Sequence, residues 1–364
     1  MAAVPTRLTE PSGKEAELYH HLPNGKVQCT ACARVCQIGE GQVGLCGVRG
    51  VVNGKLYLLV YGKVIAGHID PIEKKPVVHY KPGSKIFSIA TTGCSWLCAY
   101  CQNYDISQRR KIEGIDATPQ EVAAMAVSHS CEGLAYTYNQ PTIFIEYARD
   151  IGRIAREKGI FNIFVSNGFD TPETVGFMKD FVDCVTVDFK GSGETGFVRR
   201  YIGIPNADPI FESLLETKNR TNIHIEITDL IVPQVGDSLD AATRLSKWVY
   251  DNLGPDMPIH FLRWHPDYKM MDLPLTPIET LEKHYEIAKN AGLKYVYIGN
   301  VPGHPAESTY CPGCSKVLIK RFGYDILEYN LDKNNRCRFC GYKTPIVGPL
   351  SKSFRDDRFI PVIN

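Results

Sequence analysis

Short apolar runs alternate with longer amphipathic segments through the middle of the chain. The runs with strand-like composition cover residues 85–90, 133–138, 161–167, 184–190, 222–232 and 259–264. A further run at 295–298 predicts a seventh strand at the edge of the same sheet. Strands separated by helical segments are typical of βα units and a parallel sheet. We therefore predict an α/β fold.

The segments between these runs carry the start and stop signals of helices. Thr118 and Thr276 are each followed by a proline and, three residues on, by a glutamate. This pattern predicts a threonine cap, proline in the first turn and a capping box. Gly159 and Gly292 stand where two helical patterns end, and glycine is the usual residue at that position.

Composition narrows the possible partners and location. The chain has 364 residues, which suits one barrel-sized catalytic domain with small appendages. Its 41 basic and 40 acidic residues give a net charge of +1, so we expect neither nucleic acid nor an anionic membrane as a partner. The N-terminus lacks the apolar core of a signal peptide, and no apolar run approaches the roughly 18 residues of a spanning helix. We expect a cytoplasmic protein.

The 13 cysteines cluster at metal-ligand spacings, which favours metal sites over disulfides in a large chain without an export signal. Cys131 and Cys184 stand apart and are expected to be buried free thiols. The others form three groups: Cys29, Cys32, Cys36 and Cys46; Cys94, Cys98 and Cys101; and Cys311, Cys314, Cys337 and Cys340.

The central group, C-x3-C-x2-C, suits a [4Fe–4S] cluster with one iron left unligated, because four cysteines would close such a cluster. It directly follows the first predicted strand, where α/β sheets and barrels place their active sites. The alternative is a zinc site completed by a histidine. His68 and His79 lie upstream, and no histidine follows closely.

The C-terminal group consists of two C-x2-C knuckles separated by 22 residues. This spacing predicts one tetrahedral zinc ion held by four thiolates, with rubredoxin-like iron as the competing occupant. So small a module has little core of its own, so the metal is expected to stabilise it. The module either has a structural role or provides a docking surface for a partner.

The N-terminal group, C-x2-C-x3-C-x9-C, fits either a zinc site or a second iron–sulfur cluster. Gly39, Gly41, Gly44 and Gly47 flank it. Glycines permit a tight zinc knuckle, but they equally let backbone amides approach cluster sulfurs. The sequence leaves both occupants open, and we prefer zinc at this point.

Cys94, Cys98 and Cys101, with Tyr100 before the last cysteine, resemble the signature of the radical S-adenosylmethionine (SAM) superfamily. The runs at 70–76 and 101–108 resemble, more narrowly, the AmmeMemoRadiSam-system radical SAM enzymes, relatives of the pyruvate formate-lyase activating enzyme. The resemblance implies a partial (βα)6 TIM-like barrel between small cysteine-rich N- and C-terminal modules. The predicted divisions are 1–80, 81–305 and 306–364.

The resemblance also implies a set of SAM-binding residues, matched one position at a time. They are Tyr100, Asn139, Gln140, Ser166, Asn167, Asp188, Lys190 and His265. Gln140 departs from the family pattern, which places a glutamate there. An amide oxygen still accepts a hydrogen bond from the methionine ammonium, but it lacks the charge that strengthens the bond. For Asn139 and Asn167 an ordinary turn is the competing interpretation.

The resemblance implies a radical SAM enzyme of the activating-enzyme, oxidoreductase type. Reduction of its [4Fe–4S] cluster would cleave SAM to a 5′-deoxyadenosyl radical that abstracts hydrogen from a substrate, with a protein or peptide as the expected substrate. Implied partners are a low-potential electron donor and Memo-like and AMMECR-like proteins. The alternative is a non-catalytic iron–sulfur and zinc adaptor or redox sensor.

Overall fold

The structure is a computed structural model that describes residues 8–356 and 359–363. The strands of the N-terminal part are β1 (Lys14–Glu15), β2 (Tyr19–His21), β3 (Val27–Cys29), β4 (Gln37–Ile38), β5 (Arg49–Val52), β6 (Lys55–Leu58), β7 (Lys63–Val64) and β8 (Ala66–Pro71). Those of the central part are β9 (Lys85–Ala90), β10 (Ile115–Asp116), β11 (Gly133–Tyr136), β12 (Phe161–Ser166), β13 (Cys184–Lys190), β14 (His224–Ile231), β15 (Ile259–Arg263) and β16 (Val296–Gly299). The C-terminal strands are β17 (Thr309–Tyr310), β18 (Val317–Phe322), β19 (Asp325–Tyr329) and β20 (Ile360–Ile363).

The helices lie mainly between the central strands. They are α1 (Tyr104–Ser107), α2 (Pro119–Ser128), α3 (Ile145–Glu157), α4 (Pro172–Met178), α5 (Thr195–Phe197), α6 (Asp208–Arg220), α7 (Leu239–Leu253) and α8 (Ile278–Asn290). Short 3-10 turns cover Ile72–Lys74, Pro141–Phe144, Gly191–Gly193 and Pro305–Glu307, and one π-helical turn covers Val198–Ile202.

A nine-stranded sheet in the order β16-β15-β14-β13-β12-β11-β9-β8-β20 forms the centre of the molecule. From β9 to β16 its neighbours are all parallel, whereas β8 and β20 pair antiparallel at one side. The six predicted strands and the seventh edge strand are confirmed. Parallel strands adjacent in both sequence and space bring all their carboxyl ends to one edge. The closure of this sheet into a partial barrel stays a prediction.

The parallel strands are apolar because helices and loops cover them on both sides. Phe87, Phe164, Phe189 and Phe261 are fully buried in the main core cluster. The two isolated cysteines, Cys131 and Cys184, are buried free thiols, as predicted.

Local signals set most of the helix ends. At the start of α2 the backbone amide of Thr118 donates to Glu121 Oε2 at 2.7 Å, and the amide of Glu121 donates to Thr118 Oγ1 at 3.2 Å, which completes the capping box. Gly159 and Gly292 follow the ends of α3 and α8 with φ of +77° and +100°. Both predicted terminators are confirmed, since glycine enters this region without steric cost.

The predicted cap at Thr276 is wrong. Helix α8 begins at Ile278 without a side-chain cap. The buried Thr276 hydroxyl instead donates to the carbonyl of Ile231 at 2.6 Å and accepts from the amide of Trp264 at 3.0 Å. Tertiary contacts at the ends of β14 and β15 therefore take the hydroxyl that the local pattern assigned to the helix.

Within the described part of the chain, four small antiparallel sheets accompany the main one: three of three strands, in the orders β1-β6-β5, β2-β3-β4 and β17-β18-β19, and the two-stranded pair β10-β7. The main sheet also takes β8 from the N-terminal part and β20 from the C-terminal part. The division at residues 80 and 305 therefore stays a prediction. Among the described residues no helix is both long and apolar enough to cross a membrane.

Candidate functional site

A cavity of about 440 Å³ opens at the carboxyl ends of the parallel strands. Its volume lies in the range typical of small-molecule sites. Residues that end or follow β9, β11, β12, β13, β14, β15 and β16 contribute to its wall, as do the segment after β8 and the turn between β18 and β19. The lining includes Cys94, Cys98, Cys101, Tyr100, Asn139, Gln140, Asn167, Asp188, Lys190, Lys74, Lys75 and Tyr324.

The three central cysteines lie together in this cavity, on the loop that follows β9. Burial raises the pKa of the Cys94 thiol to about 11 and holds that of the Cys98 thiol well above its usual range. Burial also raises the pKa of Cys101, whose sulfur lies 3.1 Å from the Ser107 hydroxyl. Buried thiols of this kind become thiolates at neutral pH when a metal replaces their protons. The group therefore suits a metal centre better than a nucleophilic cysteine.

The turn after β11 brings Asn139 into the cavity. Tyr138 adopts the left-handed conformation with φ of +67°, which a residue with a bulky side chain rarely occupies. The Asn139 amide nitrogen donates to the carbonyls of Thr91 and Gly93, both at 2.8 Å. Its Oδ1 is buried and has no hydrogen-bond partner among the described residues. Asn139 thus presents an unused acceptor, and such atoms are costly unless a ligand pairs with them.

The neighbouring Gln140 side chain is already bonded at both ends. Its Oε1 accepts from the backbone amide of Asn167 at 2.7 Å, and its Nε2 donates to Ser166 Oγ at 2.8 Å and Asp170 Oδ1 at 3.1 Å. Thr142 also receives a bond from this nitrogen, at 2.9 Å. Gln140 therefore joins the ends of β11 and β12, and its role toward SAM stays a prediction.

Asp170 is a residue that the sequence analysis missed. It is fully enclosed, and burial raises its pKa to about 6 although Thr142, Ser166 and Gln140 all donate to it. Ser166 lies in this network and not on the cavity wall. An aspartate in a strand-to-helix turn carries no signal of its own, because turns commonly contain one.

Asp188 and Lys190 line the cavity together because alternate residues of a strand face the same way. Their side chains form an ion pair at 2.9 Å, and Thr228 donates a hydrogen bond to Asp188. Burial alone would lower the pKa of Lys190, but Asp188 outweighs it and raises the pKa. Tyr100 is buried beside them, with its hydroxyl unpaired among the described residues and its ring stacked on Phe197.

A second cluster of charged side chains at the wall comes from the run at 70–76, which carried the family resemblance but supplied none of the predicted site residues. The buried Asp70 carboxylate accepts from Lys75 at 2.6 Å, Lys74 at 2.7 Å and the Tyr138 hydroxyl at 2.8 Å. Burial would raise the pKa of Asp70, but the two lysines hold it well below its usual range. Burial lowers the pKa of Lys75 to about 8. The cluster supports the sharp turn at Tyr138.

The predicted site residue His265 lies outside the cavity lining. Its Nε2 is 2.7 Å from the amide nitrogen of Gln102, which does line the cavity, and its Nδ1 is 2.8 Å from Asp267. About half of the side chain is exposed. The structure therefore brings six of the eight predicted SAM-site residues to the cavity wall. Ser166 lies behind the wall in the Gln140–Asp170 network, and His265 lies at the outer margin.

The C-terminal cysteines converge as predicted. The sulfurs of Cys311 and Cys340 are 3.5 Å apart and those of Cys314 and Cys337 are 3.8 Å apart. All four lie within 4.8 Å of one another. Zinc–sulfur bonds of about 2.3 Å place tetrahedral thiolates roughly 3.8 Å apart. The spacing fits a single four-coordinate metal ion, and zinc as its identity stays a prediction.

Comparison with known proteins gives matches over both the central part and nearly the whole chain. Residues 88–245 match the radical SAM superfamily. The chain is 42% identical over 337 residues to the uncharacterized protein MJ0808 of Methanocaldococcus jannaschii, covering 92% of this chain and 99% of that one. A domain of a pyruvate-formate lyase-activating enzyme from Bacteroides vulgatus shares 15% identity with a TM-score of 0.40, over 46% of this chain and 99% of that one. A radical SAM methyltransferase from Sphaerobacter thermophilus shares 13% identity with a TM-score of 0.47, over 60% and 67%.

Proposed function

Because the chain belongs to the radical SAM superfamily, we propose that it is an enzyme that cleaves SAM reductively and uses the product to abstract hydrogen from a substrate. The domain implies a [4Fe–4S] cluster and SAM. When bound, the reduced cluster would supply one electron and SAM the carbon–sulfur bond that this electron breaks, giving methionine and a 5′-deoxyadenosyl radical. The protein contributes binding, orientation and exclusion of water.

One observation carries the proposal: the three cysteines and the unpaired Asn139 oxygen share one cavity. Cys94, Cys98 and Cys101 would hold the cluster through three of its irons, since the motif provides three thiolates. The donor set therefore fits a cluster that needs a further ligand from SAM.

The other residues of the cavity wall offer hydrogen-bond and charge partners for the polar groups of SAM, including its methionine ammonium. Asn139 Oδ1 would accept a hydrogen bond from the methionine ammonium, because it is a buried acceptor without a partner among the described residues. Asp188, Lys190 and the Tyr100 hydroxyl would contact the remaining polar groups of SAM. Gln140 would act indirectly, by fixing the backbone next to Asn139.

We further propose the narrower assignment to the AmmeMemoRadiSam-system enzymes, with activating-enzyme chemistry. The runs at 70–76 and 101–108 support it, and the first of these forms the Asp70 cluster beside the cavity. A protein or peptide substrate, Memo-like or AMMECR-like partners and a low-potential electron donor belong to this proposal, as do zinc at Cys311, Cys314, Cys337 and Cys340 and a cytoplasmic location. A non-catalytic adaptor is not favoured, since it leaves the cavity beside the cysteines unused.

The test is anaerobic cleavage of SAM. Reconstituted and chemically reduced protein should release 5′-deoxyadenosine and methionine, and the Cys98→Ala variant should release neither. Cys131→Ala is the matched control, because it removes a buried thiol far from the motif and should leave product formation unchanged. A cluster-loaded, reduced protein that yields no 5′-deoxyadenosine would overturn the proposal. Redox-dependent binding of a partner without cleavage would support the adaptor instead.

A further inference from the structure

The four N-terminal cysteines, which the proposed function does not use, surround one enclosed space. Cys29, Cys32, Cys36 and Cys46 all line a cavity of about 10 Å³. The four cysteines therefore face one enclosed site, which suits a single metal centre held by all four thiolates.

The spacing of the three cysteine groups distinguishes the possible occupants. Within residues 8–356 and 359–363, the C-terminal tetrad is the one group of three or more metal-binding side chains whose ligand atoms all lie within 4.8 Å of each other. Neither the N-terminal group nor the Cys94 group is contracted in this way. Sulfurs that bind different irons of a cubane cluster stand farther apart than sulfurs that share one ion. The N-terminal group thus resembles the cluster-binding group and differs from the zinc-like one.

Two arginines line the same cavity. Arg49 is paired with Glu146, whereas Arg34 has a donor, free within the described part of the chain, that suits a negatively charged cluster. Arg34 donates through Nε to the carbonyl of Ser95 at 2.9 Å, and one of its terminal nitrogens is buried without a hydrogen-bond partner among the described residues. Arg49 is fully buried beside the cavity. Cluster sulfides accept hydrogen bonds, and such bonds tune iron–sulfur centres. The unpaired Arg34 nitrogen is a donor of the required kind.

The cavity also adjoins the loop that carries Cys94. Ser95 contributes to its wall, and the backbone oxygen of Cys46 lies 2.3 Å from the position that a Cβ on Gly93 would take. The two cysteine groups are therefore in backbone contact. A redox centre at this place has direct neighbours in the active-site loop, whereas a structural zinc needs no such neighbour.

We propose that Cys29, Cys32, Cys36 and Cys46 hold a second iron–sulfur cluster of the [4Fe–4S] type, not zinc. This assignment concerns a site separate from that of SAM cleavage and does not rest on the proposed function. It predicts two clusters and one C-terminal zinc ion in each chain.

The decisive sample is the full-length Cys94→Ser/Cys98→Ser/Cys101→Ser variant, reconstituted anaerobically with iron, sulfide and zinc. After gel filtration it should retain about four irons and about four sulfides per chain with one zinc. On reduction it should give the electron paramagnetic resonance signal of a reduced cluster. The unmutated protein should hold about twice as much iron. Cys131→Ser is the matched control and should not change either metal count.

Two zinc ions and no iron in the triple variant would overturn the proposal, whatever the wild-type protein does with SAM. The complementary Cys29→Ser/Cys32→Ser variant should keep about four irons, and zinc retained at its C-terminal site checks that this part of the chain is folded. If the complementary variant does not fold, the triple variant alone decides the outcome, because its N-terminal cysteines are intact.

Discussion

At the scale of single residues, the site is defined by which polar atoms are already paired. Gln140 uses both ends of its amide within the wall, whereas Asn139 keeps a buried oxygen without a partner in the described part of the chain. Adjacent amides in one turn thus have different roles. The first supports the backbone, and the second is available to a ligand.

Asn139→Ala should weaken SAM binding by about 10- to 100-fold, since a hydrogen bond to a charged group contributes about 1.5–3 kcal/mol. Equilibrium binding of SAM to the cluster-loaded protein under anaerobic conditions measures it. Asn252→Ala is the matched control, because the Asn252 side-chain amide donates to the backbone carbonyl of Trp248 within α7 and does not line the cavity. Unchanged affinity in Asn139→Ala would contradict the proposed contact with the ammonium.

Asp170 should make stability depend on pH. Its pKa in the folded protein is raised to about 6, so its contribution is complete below its unfolded pKa of about 4 and is lost as the pH rises through 6. Between about pH 5 and 7.5 the free energy of unfolding of the wild type should fall by about 1 kcal/mol relative to Asp170→Asn, which cannot ionise. Denaturation curves at several pH values measure the difference. Parallel profiles for the two proteins would contradict it.

At the scale of elements, a buried ion pair joins the N-terminal hairpin β5-β6 to helix α3. Arg49 on β5 donates to both carboxylate oxygens of Glu146 on α3, and through Nε to the carbonyl of Ile143 at 2.8 Å. Both side chains are inaccessible to solvent. Burial acts to lower the pKa of Arg49, but the adjacent Glu146 outweighs it and raises that pKa, so Arg49 stays charged. The N-terminal part is therefore fixed to the main core by charge as well as by apolar packing.

Arg49→Met should lower the free energy of unfolding by about 3–5 kcal/mol, because it leaves the buried Glu146 side chain without its ion-pair partner. The double variant with Glu146→Leu should be more stable than the sum of the two single changes predicts. Guanidinium denaturation of the four proteins gives this coupling. Lys55→Ala, which breaks the exposed pair with Glu15, is the control and should cost no more than about 1 kcal/mol. Strict additivity at Arg49 and Glu146 would contradict the expectation.

The sequence predicted helices and strands well where the hydrophobic pattern extended over enough residues to show a strand or helix period. The central strands lie within about two residues of their predicted bounds, since runs of buried β-branched and aromatic residues identify them. The N-terminal strands could not be predicted in the same way, because Lys14–Glu15 and Gln37–Ile38 have only two residues each. The predicted cap at Thr276 was wrong for a different reason. Its hydroxyl forms hydrogen bonds with Ile231 and Trp264, which lie in other segments of the chain and are not part of the local pattern.

The same limit applies to the site. The C-x3-C-x2-C spacing and the charged end of β13 are local patterns, and Cys94, Cys98, Cys101, Asp188 and Lys190 all line the cavity. Their roles there stay predictions. Asp170, Lys75 and Tyr324 could not be assigned, because their roles depend on contacts between segments distant in the chain. The unpaired state of Asn139 Oδ1 is likewise a property of the folded wall.

At the scale of the whole molecule, the C-terminal part completes the cavity from outside the main sheet. Tyr324, in the turn between β18 and β19, lines the cavity. Arg321 on β18 is buried and donates to the carbonyl of Val78 at 3.1 Å and to Thr309 Oγ1 at 2.8 Å. The small core around Leu318 and Ile319 lies next to the cysteine tetrad. Loss of the metal should therefore affect the cavity wall.

Cys311→Ser/Cys314→Ser should lose one zinc ion per chain and become sensitive to limited proteolysis between residues 306 and 350, since small modules depend on their metal for folding. The iron content should not change. Elemental analysis and mapping of the cleavage sites measure both effects. Ser315→Ala, in the same turn, is the matched control and should retain zinc. A protease-resistant C-terminal part without zinc would contradict a stabilising role for the metal.

The contact between Cys46 and Gly93 has a consequence for how this chain can vary over evolution. The Cys46 carbonyl occupies the space that any side chain at position 93 would need, and Asn139 donates to the Gly93 carbonyl from within the site. A shift of either segment alone would therefore displace the other. The two cysteine-bearing segments should be inherited as a pair. A chimera that exchanges only the N-terminal 60 residues should therefore distort the loop around Gly93 and Cys94, which stays behind.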